Sequence, residues 1–485
     1  MGKSKSKFNR NLPKKGFRKP MSIKKKLKKA REVLCQKKRT QIEHENLNPV
    51  GANRKSYRQK NFPGFFLNRL FIYQNKVKKR HFANVEEIVP LKPETENSQS
   101  VLGLLIFSFL ISDEYLIALK NQRFRKVLVS HSLSRTTEFQ SEFANENTLL
   151  IHPPNYFGEN TESAFHPKLI LIERFDSLEI IIGTGNLLDC DWEKYGNAFF
   201  KKTCRKIKHN CGQSSSFLNE LNYFINFCVG PYSELAKKIH GIDLLNFSWD
   251  WPEIGLVFSI PGKISQSTEF TSSFYQLENL MKNNPPESAI TSKNFQAHYV
   301  TSSLGLLTER LIQDFSSSFY SMSLKAETEV LDTQDLIKNR FRVIFPTAEY
   351  IRSTALGHDS SKGVFLNSSI WDSFRFVKSV LMTYQGNRFV NGTDSITPHY
   401  KFFVVKNCDQ INDDSVVYLG SHNFTSAAWG RKSFAEKTLE GFNYELGIIF
   451  LPWKGTAAAK NHLIERLGIE LNAPMYLPKD QPHLS

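Results

Sequence analysis

The sequence lacks the features that mark membrane and secreted proteins. Its longest apolar run, Val101 to Ile111, is shorter than the ~20 residues that a membrane-spanning helix needs. The N-terminal residues contain no apolar segment of the kind that secretory signals have. We therefore expect no membrane association, and we expect the apolar run to form a buried strand or a core helix.

Cysteine pairs and clusters of metal ligands are also missing. None of the six cysteines belongs to a CxxC pair, and Cys204, His209 and Cys211 have no second ligand cluster at the spacing of a zinc site. No group of carboxylates suited to catalytic Mg²⁺ stands out. We expect the reduced thiols of an intracellular protein, with no metal and no cofactor.

Positive charge is concentrated at one end of the chain. The net charge is +17, but residues 1–40 contain 17 Lys and Arg with one acidic residue, whereas residues 81–485 contain 38 basic and 44 acidic residues. We expect residues 1–45 to be a basic disordered tail. The run Lys24 to Arg31 favours a nuclear-import signal, and so the nucleus, or an arm that binds nucleic acid. A purely solvated tail is the alternative.

From about residue 80 the sequence has the pattern of a compact α/β protein. Short apolar segments alternate with amphipathic ones, which predicts a sheet covered by helices on both faces. The predicted helix is Phe217–Phe227, and the predicted strands are Lys126–Ser130, Lys168–Glu173, Leu178–Ile182, Phe341–Phe345, Lys401–Lys406, Val416–Gly420 and Leu446–Leu451. The Pro- and Ser-containing stretch from Ser259 to Thr271 predicts the join between two halves.

An internal repeat relates the two halves. Each copy contains H-x-K, two predicted strands, the string G-[ST]-x-N and a Trp six residues later. The residues of the repeat are His166, Lys168, Asn186 and Trp192 in the first copy, and His399, Lys401, Asn423 and Trp429 in the second. Of 13 histidines only these two have Lys two residues later, and the Asn of the chain's only two G-[ST]-x-N strings follows them by 20 and 24 residues. Two unrelated core histidines would not share this pattern, so we infer one duplicated site.

Strand geometry explains the spacing within each copy. Residues i and i+2 of a strand project on the same face, so each H-x-K segment presents an imidazole beside an ammonium group. The next strand ends in a glycine-containing turn that can bring the Asn to the same rim. Two copies facing each other across a pseudo-twofold axis would place two His, two Lys and two Asn around one anion.

These side chains suit phosphoryl transfer without a metal. Ammonium and amide donors hold phosphate oxygens and stabilise the charge of the transition state. One imidazole attacks phosphorus and forms a phosphohistidine, while the other protonates the leaving oxygen and then activates water. The nearby lysine charges oppose protonation of an imidazole, which favours a neutral nucleophile. The residues alone do not decide which histidine attacks.

The motifs resemble those of the phospholipase D superfamily, and in particular its tyrosyl-DNA phosphodiesterase family. In the superfamily, four residues separate H-x-K from an Asp, and this chain has Glu173 and Lys406 at the place of that Asp. The tyrosyl-DNA phosphodiesterase motifs lack that Asp. The further strings that support the resemblance, which covers roughly residues 80–485, are Asp191-Trp192, Ser302 to Gly305, Asn423 to Gly430 and Tyr444 to Gly447.

The resemblance implies both a fold and an activity. The fold would be two similar α-β-α sandwich domains, residues 80–260 and 261–485, that meet at the active site. The activity would be DNA repair: hydrolysis of the 3′-phosphotyrosyl bond between DNA and trapped topoisomerase I, without a metal. The partners would be DNA, single-stranded or duplex, and a topoisomerase I-derived peptide as part of the substrate. Because one chain contains both copies of the site, we expect a monomer.

The resemblance also implies a role for each site residue. His166 would be the nucleophile, His399 the general acid and later the base, and Glu445 would orient a catalytic imidazole. The residues implied to bind phosphate oxygens are Lys168, Lys401, Asn186 and Asn423. The candidate contacts to the DNA backbone are Ser302, Ser303 and Thr425.

Two positions depart from the family pattern. Asn197 stands where the family has Gln, and Glu162 stands where the family has an aromatic residue that stacks on a base. Tyr156, Phe157 and Phe165 are either replacements for that aromatic residue or ordinary core residues.

Two alternative functions remain. A phospholipase D-type nuclease or lipid phosphodiesterase is disfavoured by the missing Asp pair, and by the lack of an interfacial amphipathic helix near the site. A non-catalytic DNA-binding protein with a relic site is disfavoured because both His, both Lys and both Asn are present.

Overall fold

The computed structural model describes one compact unit within residues 60–485. The described residues are 64–68, 82–91, 101–131, 146–157, 163–207, 215–285, 294–320, 333–354, 357, 363–373, 377–386, 396–407, 415–454 and 470–484. The predicted basic tail, Glu162, His209 and Cys211 lie outside them. None of the helices in these ranges is long and apolar enough to cross a membrane.

Eight strands form the first sheet, here called the N-terminal sheet. In spatial order they are Phe82–Ala83, Gly64–Asn68, Ala198–Arg205, Ser177–Gly183, Leu169–Arg174, Val101–Ser108, Arg125–Ser130 and Thr148–Ile151.

Seven strands form the second sheet, here called the C-terminal sheet. In spatial order they are Ile254–Ser259, Glu445–Phe450, Val416–Gly420, Phe402–Asn407, Phe295–Val300, Phe341–Phe345 and Leu381–Thr383. The shorter strands are Tyr195–Gly196, Gly262–Ser265, Ser303–Leu304, Phe365–Leu366, Thr397–Pro398, Arg431–Ser433 and Thr438–Gly441.

The two sheets share one topology over seven strands. Numbered by their order along the chain, the strands of each lie in the spatial order 1-7-6-5-2-3-4. In both sheets the first four neighbouring pairs are antiparallel and the last two are parallel. This common order confirms the expectation of two similar α/β halves.

Helices cover the sheets because their apolar residues recur at helical spacing. Ser216–Val229 buries Phe217, Leu221, Phe224 and Cys228, which lie on one face of the helix. The other helices are Val85–Ile88, Asp113–Lys120, Asp189–Glu193, Ser233–His240, Ser273–Asn283, Glu309–Tyr320, Thr333–Asp335, Ala348–Ser353, Ser368–Ser373 and Ser426–Trp429, with a π-helix at Leu336–Arg340 and 3₁₀ turns at Gly230–Tyr232, Leu244–Asn246, Val377–Ser379 and Pro452–Lys454.

Two clusters of core residues lie on the two faces of the C-terminal sheet. Leu419 and Ile448 belong to a cluster that also contains apolar residues from one face of the N-terminal sheet. Tyr418 and Ile449 belong to a second cluster, with residues of the helices Ser273–Asn283 and Glu309–Tyr320. Adjacent residues of one strand thus enter different clusters, as the alternation of side chains along a strand requires. The first cluster joins the two halves through a shared core.

The predicted elements agree with the structure to within one or two residues at each end, and the run from Val101 is the strand Val101–Ser108. The domain ranges 80–260 and 261–485 stay a prediction. The strand Gly64–Asn68 belongs to the N-terminal sheet although it precedes residue 80. The strand Ile254–Ser259 pairs with Glu445–Phe450 in the C-terminal sheet, ahead of the predicted join.

Candidate active site

The two H-x-K segments lie directly before strands rather than inside them. His166 and Lys168 precede the strand Leu169–Arg174, and the second segment precedes Phe402–Asn407 in the same way. The prediction that each Lys begins its strand is therefore off by one residue. In both copies the Lys ammonium donates to the carbonyl of its own His, at 2.5 Å in the first and 2.8 Å in the second.

The backbone of each segment pairs with the opposite half of the molecule. The backbone N–H of His166 donates to the carbonyl of Tyr444 at 3.0 Å, and that of His399 donates to the carbonyl of Gly196 at 2.8 Å. The two histidines thus lie along the junction of the halves, each tied to the half from which it does not come. The site exists only where the two halves meet.

Glu445 holds the imidazole of His166. Its Oε2 atom lies 2.8 Å from Nδ1 of His166, and it also accepts a hydrogen bond of 2.5 Å from the hydroxyl of Ser421. Its other oxygen accepts from the amide of Asn443 at 3.3 Å. Because a carboxylate accepts hydrogen bonds, Nδ1 of His166 carries the proton and Nε2 keeps its lone pair.

Asn197 holds the imidazole of His399. Its Oδ1 atom lies 2.9 Å from Nδ1 of His399 and accepts a second hydrogen bond of 2.8 Å from the hydroxyl of Thr184. Its Nδ2 atom donates to the carbonyl of Asp191 at 2.7 Å, which fixes the amide with its oxygen towards the histidine. This shorter amide therefore reaches the imidazole directly, without a bridging water.

The environment of both histidines favours their neutral forms. Burial lowers the pKa of His166 well below its ordinary value of 6.5, and the charges of Lys168 and Lys401 lower it further. Burial likewise lowers the pKa of His399, and the two lysines and His166 add to the effect. The prediction that lysine charges oppose imidazole protonation is confirmed.

Two buried lysines and two buried carboxylates share the site. Burial lowers the pKa of Lys168 and of Lys401, and the carboxylates of Glu445 and Asp191 oppose that shift. Lys401 also donates to the carbonyl of Thr184 at 3.4 Å, across the junction. An anion bound here would offset the mutual repulsion of the lysines, so the site is suited to a phosphate group.

The two motif asparagines are held differently. Oδ1 of Asn423 accepts from the backbone N–H of Ser303 at 3.1 Å and from the hydroxyls of Thr301 and Ser302 at 3.0 and 3.3 Å. With its oxygen engaged, the amide of Asn423 keeps its N–H groups for a ligand. Oδ1 of Asn186 is buried with no hydrogen-bond partner among the described residues.

Asp191 supports the first asparagine and lies near the second histidine. Its Oδ2 atom accepts from the backbone N–H of Asn186 at 2.5 Å and lies 3.8 Å from Nδ1 of His399. The indole N–H of Trp192 donates to the carbonyl of Asn186 at 2.9 Å. The motif Asp-Trp therefore fixes the turn that ends in Asn186.

A groove of about 670 Å³ leads away from the histidine of the first copy. Its lining includes His166, Ser303, Asn423, Thr425 and Arg431. The guanidinium of Arg431 is exposed and lies 5.2 Å from the ring centre of Phe442. The groove therefore joins the cluster of His, Lys and Asn side chains to hydroxyl groups and a cation.

The three predicted backbone contacts occupy different positions. Ser303 and Thr425 line the groove, and Thr425 also caps the short helix Ser426–Trp429 by accepting from the N–H of Ala428. Ser302 is 2% exposed, and its hydroxyl donates to Asn423. Ser302 thus supports an amide of the site from behind.

Sequence reasoning did not single out Thr184, Ser421 or Thr301. All three are buried hydroxyls that donate to a side chain of the site. The second position of each G-[ST]-x-N string was the available signal, because a hydroxyl occurs there in both copies. Within the described ranges no cluster of three or more His, Cys, Asp or Glu side chains could hold a metal ion.

Comparisons with known proteins agree with this geometry. The sequence profile of the family "Tyrosyl-DNA phosphodiesterase" matches residues 66–480. The chain is 21% identical over 371 residues to tyrosyl-DNA phosphodiesterase 1 of Arabidopsis thaliana, covering 73% of this chain and 57% of that protein. It is 21% identical over 392 residues to a probable tyrosyl-DNA phosphodiesterase of Caenorhabditis elegans, covering 76% and 82%. This chain thus spans little more than half the length of the Arabidopsis protein.

Among solved structures, the fold is similar to that of the yeast tyrosyl-DNA phosphodiesterase. The TM-score is 0.57 at 17% identity, and the match covers 81% of this chain and 91% of the yeast chain. A mutant of the yeast enzyme gives a TM-score of 0.61 at 16% identity and covers 87% and 98%. The profile match spans most of the chain, and on that ground the chain belongs to the tyrosyl-DNA phosphodiesterase family.

Proposed function

We propose that this chain is a DNA-end phosphodiesterase of its family. It hydrolyses the bond between a 3′ phosphate of DNA and the tyrosine of a trapped topoisomerase I peptide, and it leaves a 3′-phosphate end. Other 3′ adducts are accepted when they fit between the two halves. The substrate is single-stranded or duplex DNA, the protein acts as a monomer, and no metal takes part in the two displacement steps.

One observation carries the proposal: each histidine is held at Nδ1 by an acceptor from the other half. Glu445 takes this place for His166, and Asn197 takes it for His399. Both imidazoles are therefore fixed as the tautomer whose Nε2 is available for chemistry. One phosphorus atom between them needs such an arrangement, since it is attacked from one side while its leaving group departs on the other.

The first displacement forms the covalent intermediate. Nε2 of His166 attacks phosphorus, and the phosphorus–oxygen bond to tyrosine breaks. The anionic phosphate of the bound substrate offsets the lysine charges and so favours the protonated form of His399, which gives its Nε2 proton to the departing phenol oxygen. Lys168, Lys401 and Asn423 stabilise the charge on the phosphoryl oxygens. The product of this step is a 3′-phosphohistidine adduct of the DNA and a free tyrosyl peptide.

The second displacement releases the DNA. The now neutral His399 takes a proton from water at Nε2, and the resulting hydroxide attacks phosphorus. The nitrogen–phosphorus bond breaks, and the electron pair returns to Nε2 of His166. Glu445 supports His166 through both steps, because its carboxylate stabilises the positive charge that the ring carries in the adduct.

The groove beside His166 supports the assignment of DNA as the substrate. Its hydroxyls and the exposed Arg431 match a phosphate backbone that leaves the site on the nucleophile's side. The peptide then leaves on the side of His399. We also propose the nucleus as the compartment, on the strength of the basic run from Lys24 to Arg31.

The test uses labelled single-stranded DNA that ends in a 3′-phosphotyrosine, incubated with excess EDTA. The wild type is expected to release a 3′-phosphate end, His166→Ala is expected to do nothing, and His399→Asn is expected to accumulate a protein–DNA adduct visible on a denaturing gel. Parallel control reactions contain either DNA with only internal phosphodiesters or phospholipid vesicles.

Two outcomes would overturn the proposal. Cleavage of internal phosphodiesters or phospholipid, with no cleavage of the phosphotyrosine, would assign the chain to the wider superfamily chemistry. Loss of wild-type activity in EDTA, restored by a divalent cation, would contradict the metal-free mechanism.

A further inference from the structure

Two buried hydroxyls occupy equivalent places in the two copies of the site. Thr184 is the second residue of the first G-[ST]-x-N string, and Ser421 is the second residue of the other. Both are 0% exposed. Their backbones are equivalent too: Thr184 donates its N–H to the carbonyl of Ala198, and Ser421 donates to that of Leu446, both at 2.9 Å.

Each hydroxyl makes the same pair of hydrogen bonds. The oxygen of Thr184 accepts from the backbone N–H of Ala198 at 3.0 Å, and that of Ser421 accepts from the N–H of Leu446 at 2.9 Å. A hydroxyl has one proton, and these bonds turn it towards a single acceptor. Thr184 gives it to Oδ1 of Asn197, and Ser421 gives it to Oε2 of Glu445.

The oxygen that receives the proton is the one that holds a histidine of the other half. Oδ1 of Asn197 accepts from His399, and Oε2 of Glu445 accepts from His166. The hydroxyl and the acceptor lie in one half, and the imidazole comes from the other. The arrangement thus occurs twice, once in each direction across the junction.

We propose that the hydroxyls of Thr184 and Ser421 are positioning groups for the reaction. Thr184 acts through its acceptor on His399, and Ser421 acts through its acceptor on His166. Each hydroxyl keeps the acceptor oxygen directed at Nδ1 of the imidazole. The ring therefore stays in the tautomer that has its proton on Nδ1 and its lone pair on Nε2, as the reaction needs. The division of effects between the two steps rests on the proposed function, whereas the control of the tautomer does not.

The hydroxyl matters differently for the two acceptors. An amide can rotate to present nitrogen instead of oxygen, and the hydroxyl of Thr184 stabilises the orientation with oxygen towards His399. A carboxylate has two equivalent oxygens, and burial raises the pKa of Glu445 while the bond from Ser421 lowers it. Together with His422 and Lys168, the second hydroxyl therefore favours the ionised form of the carboxylate beside His166.

The experiment removes each hydroxyl without changing its neighbours. Thr184→Val and Ser421→Ala delete one hydroxyl each. Thr184→Ser and Ser421→Thr exchange the residue types of the two copies and retain the hydroxyl. Rates of adduct formation and of adduct breakdown are measured in single turnovers on 3′-phosphotyrosyl DNA, together with the DNA Kd and Tm.

The expected effects differ between the two copies. Thr184→Val slows breakdown by about three- to tenfold, so that the adduct accumulates. Breakdown relies on His399 to take a proton from water, whereas the phenol of the substrate leaves with less help from His399 as acid. Ser421→Ala slows adduct formation by a similar factor, and no adduct accumulates. The exchanged variants keep both rates near those of the wild type, and the Kd for DNA is unchanged in all four.

A second readout does not depend on activity. The ¹⁵N chemical shifts of labelled histidine report the tautomer of each ring. Thr184→Val is expected to alter the signal of His399 alone, and Ser421→Ala that of His166 alone. The inference would be overturned if the two deletion variants left the histidine signals unaltered and both rates near those of the wild type. It would also be overturned if both steps were slowed equally and the Tm were lowered.

The proposed function can fail separately. If the wild type does not cleave the phosphotyrosyl substrate but the histidine signals respond as stated, the positioning role stands and the substrate is wrong. If the adduct accumulates with Ser421→Ala rather than with Thr184→Val, the positioning role of the hydroxyls is upheld and the roles of the two histidines are reversed.

Discussion

Nδ1 of His399 lies 2.9 Å from Oδ1 of Asn197, a residue that comes from the other half of the molecule. In the corresponding pair, Nδ1 of His166 lies 2.8 Å from Oε2 of Glu445, which likewise comes from the opposite half. One histidine therefore has a neutral acceptor and the other has an anionic one. The two imidazoles therefore differ in the charge of the group at Nδ1, although the repeat makes them equivalent in sequence.

Changing the neutral acceptor to a charged one should change the basicity of His399. Asn197→Asp places a carboxylate at Nδ1, and an anion there stabilises the imidazolium and raises its pKa. Breakdown of the adduct needs neutral His399, so the pH at which breakdown becomes slow should move upward. The measurement is the breakdown rate against pH. Asn197→Gln, which adds no charge, is the control, and coincident profiles for the Asp variant and the wild type would contradict the expectation.

The acid limb of adduct formation should lie well below pH 6.5. Burial and the two lysines lower the pKa of His166, so its neutral, nucleophilic form persists as the pH falls through 6.5 and is lost only at lower pH. His399→Asn, supplied with DNA carrying a 3′-(4-nitrophenyl) phosphate, isolates this titration, because that leaving group needs no proton. Adduct yield per unit time should stay level from pH 8 to below 6.5. A limb centred at or above pH 6.5 would show that burial and the two lysines do not lower the pKa of His166.

Gly185→Ala should impair breakdown of the adduct more than its formation. A Cβ atom at Gly185 would lie 2.9 Å from Cγ and 3.1 Å from Nδ2 of Asn197. The amide cannot simply move away, since Thr184 and the backbone of Asp191 hold it. Displacement of the acceptor by a fraction of an ångström should slow breakdown by about tenfold or more. Single-turnover gels test this, with Tm and DNA affinity measured alongside; equal effects on both steps would argue against displacement of Asn197.

Arg431→Ala should weaken DNA binding in a salt-dependent way. The guanidinium is exposed in the groove that begins at His166, where it can pair with a backbone phosphate. Loss of one phosphate contact should reduce the slope of log Kd against log salt by about one, for any DNA sequence. Arg123→Ala, an exposed arginine that does not line the groove, is the matched control. An unchanged slope for Arg431→Ala would remove this residue from the DNA path.

Much of the fold could be predicted from periodicity. Strands such as Phe341–Phe345 and Val416–Gly420 have the predicted bounds because apolar residues bounded by turn residues leave little choice of structure. The position of the first strand of each sheet could not be predicted in this way. Ile254–Ser259 is an edge strand, and Gly64–Asn68 lies one place in from the edge of its sheet. Each pairs with a strand that comes more than a hundred residues later in the chain, and no local pattern carries that pairing.

The candidate site was visible in the sequence because its chemistry is duplicated. The two copies of H-x-K and G-[ST]-x-N contain the two His, two Lys and two Asn of the site. The chemical properties of these side chains predicted that they suit phosphoryl transfer. Glu445 was reached only through the family resemblance. Asn197 looked like a weakness, since its side chain is one methylene shorter than the Gln of the family.

The sequence by itself determined which groups make up the candidate site, because residue type and spacing fix the two histidines, the lysine and asparagine donors, and the strands that carry them. The tertiary structure decided which partner each histidine receives. That choice depends on the meeting of two halves, where Asn197 faces His399 and Glu445 faces His166 across a junction that no local spacing encodes. The hydrogen bonds across it set the tautomers, and so give two equivalent histidines different surroundings.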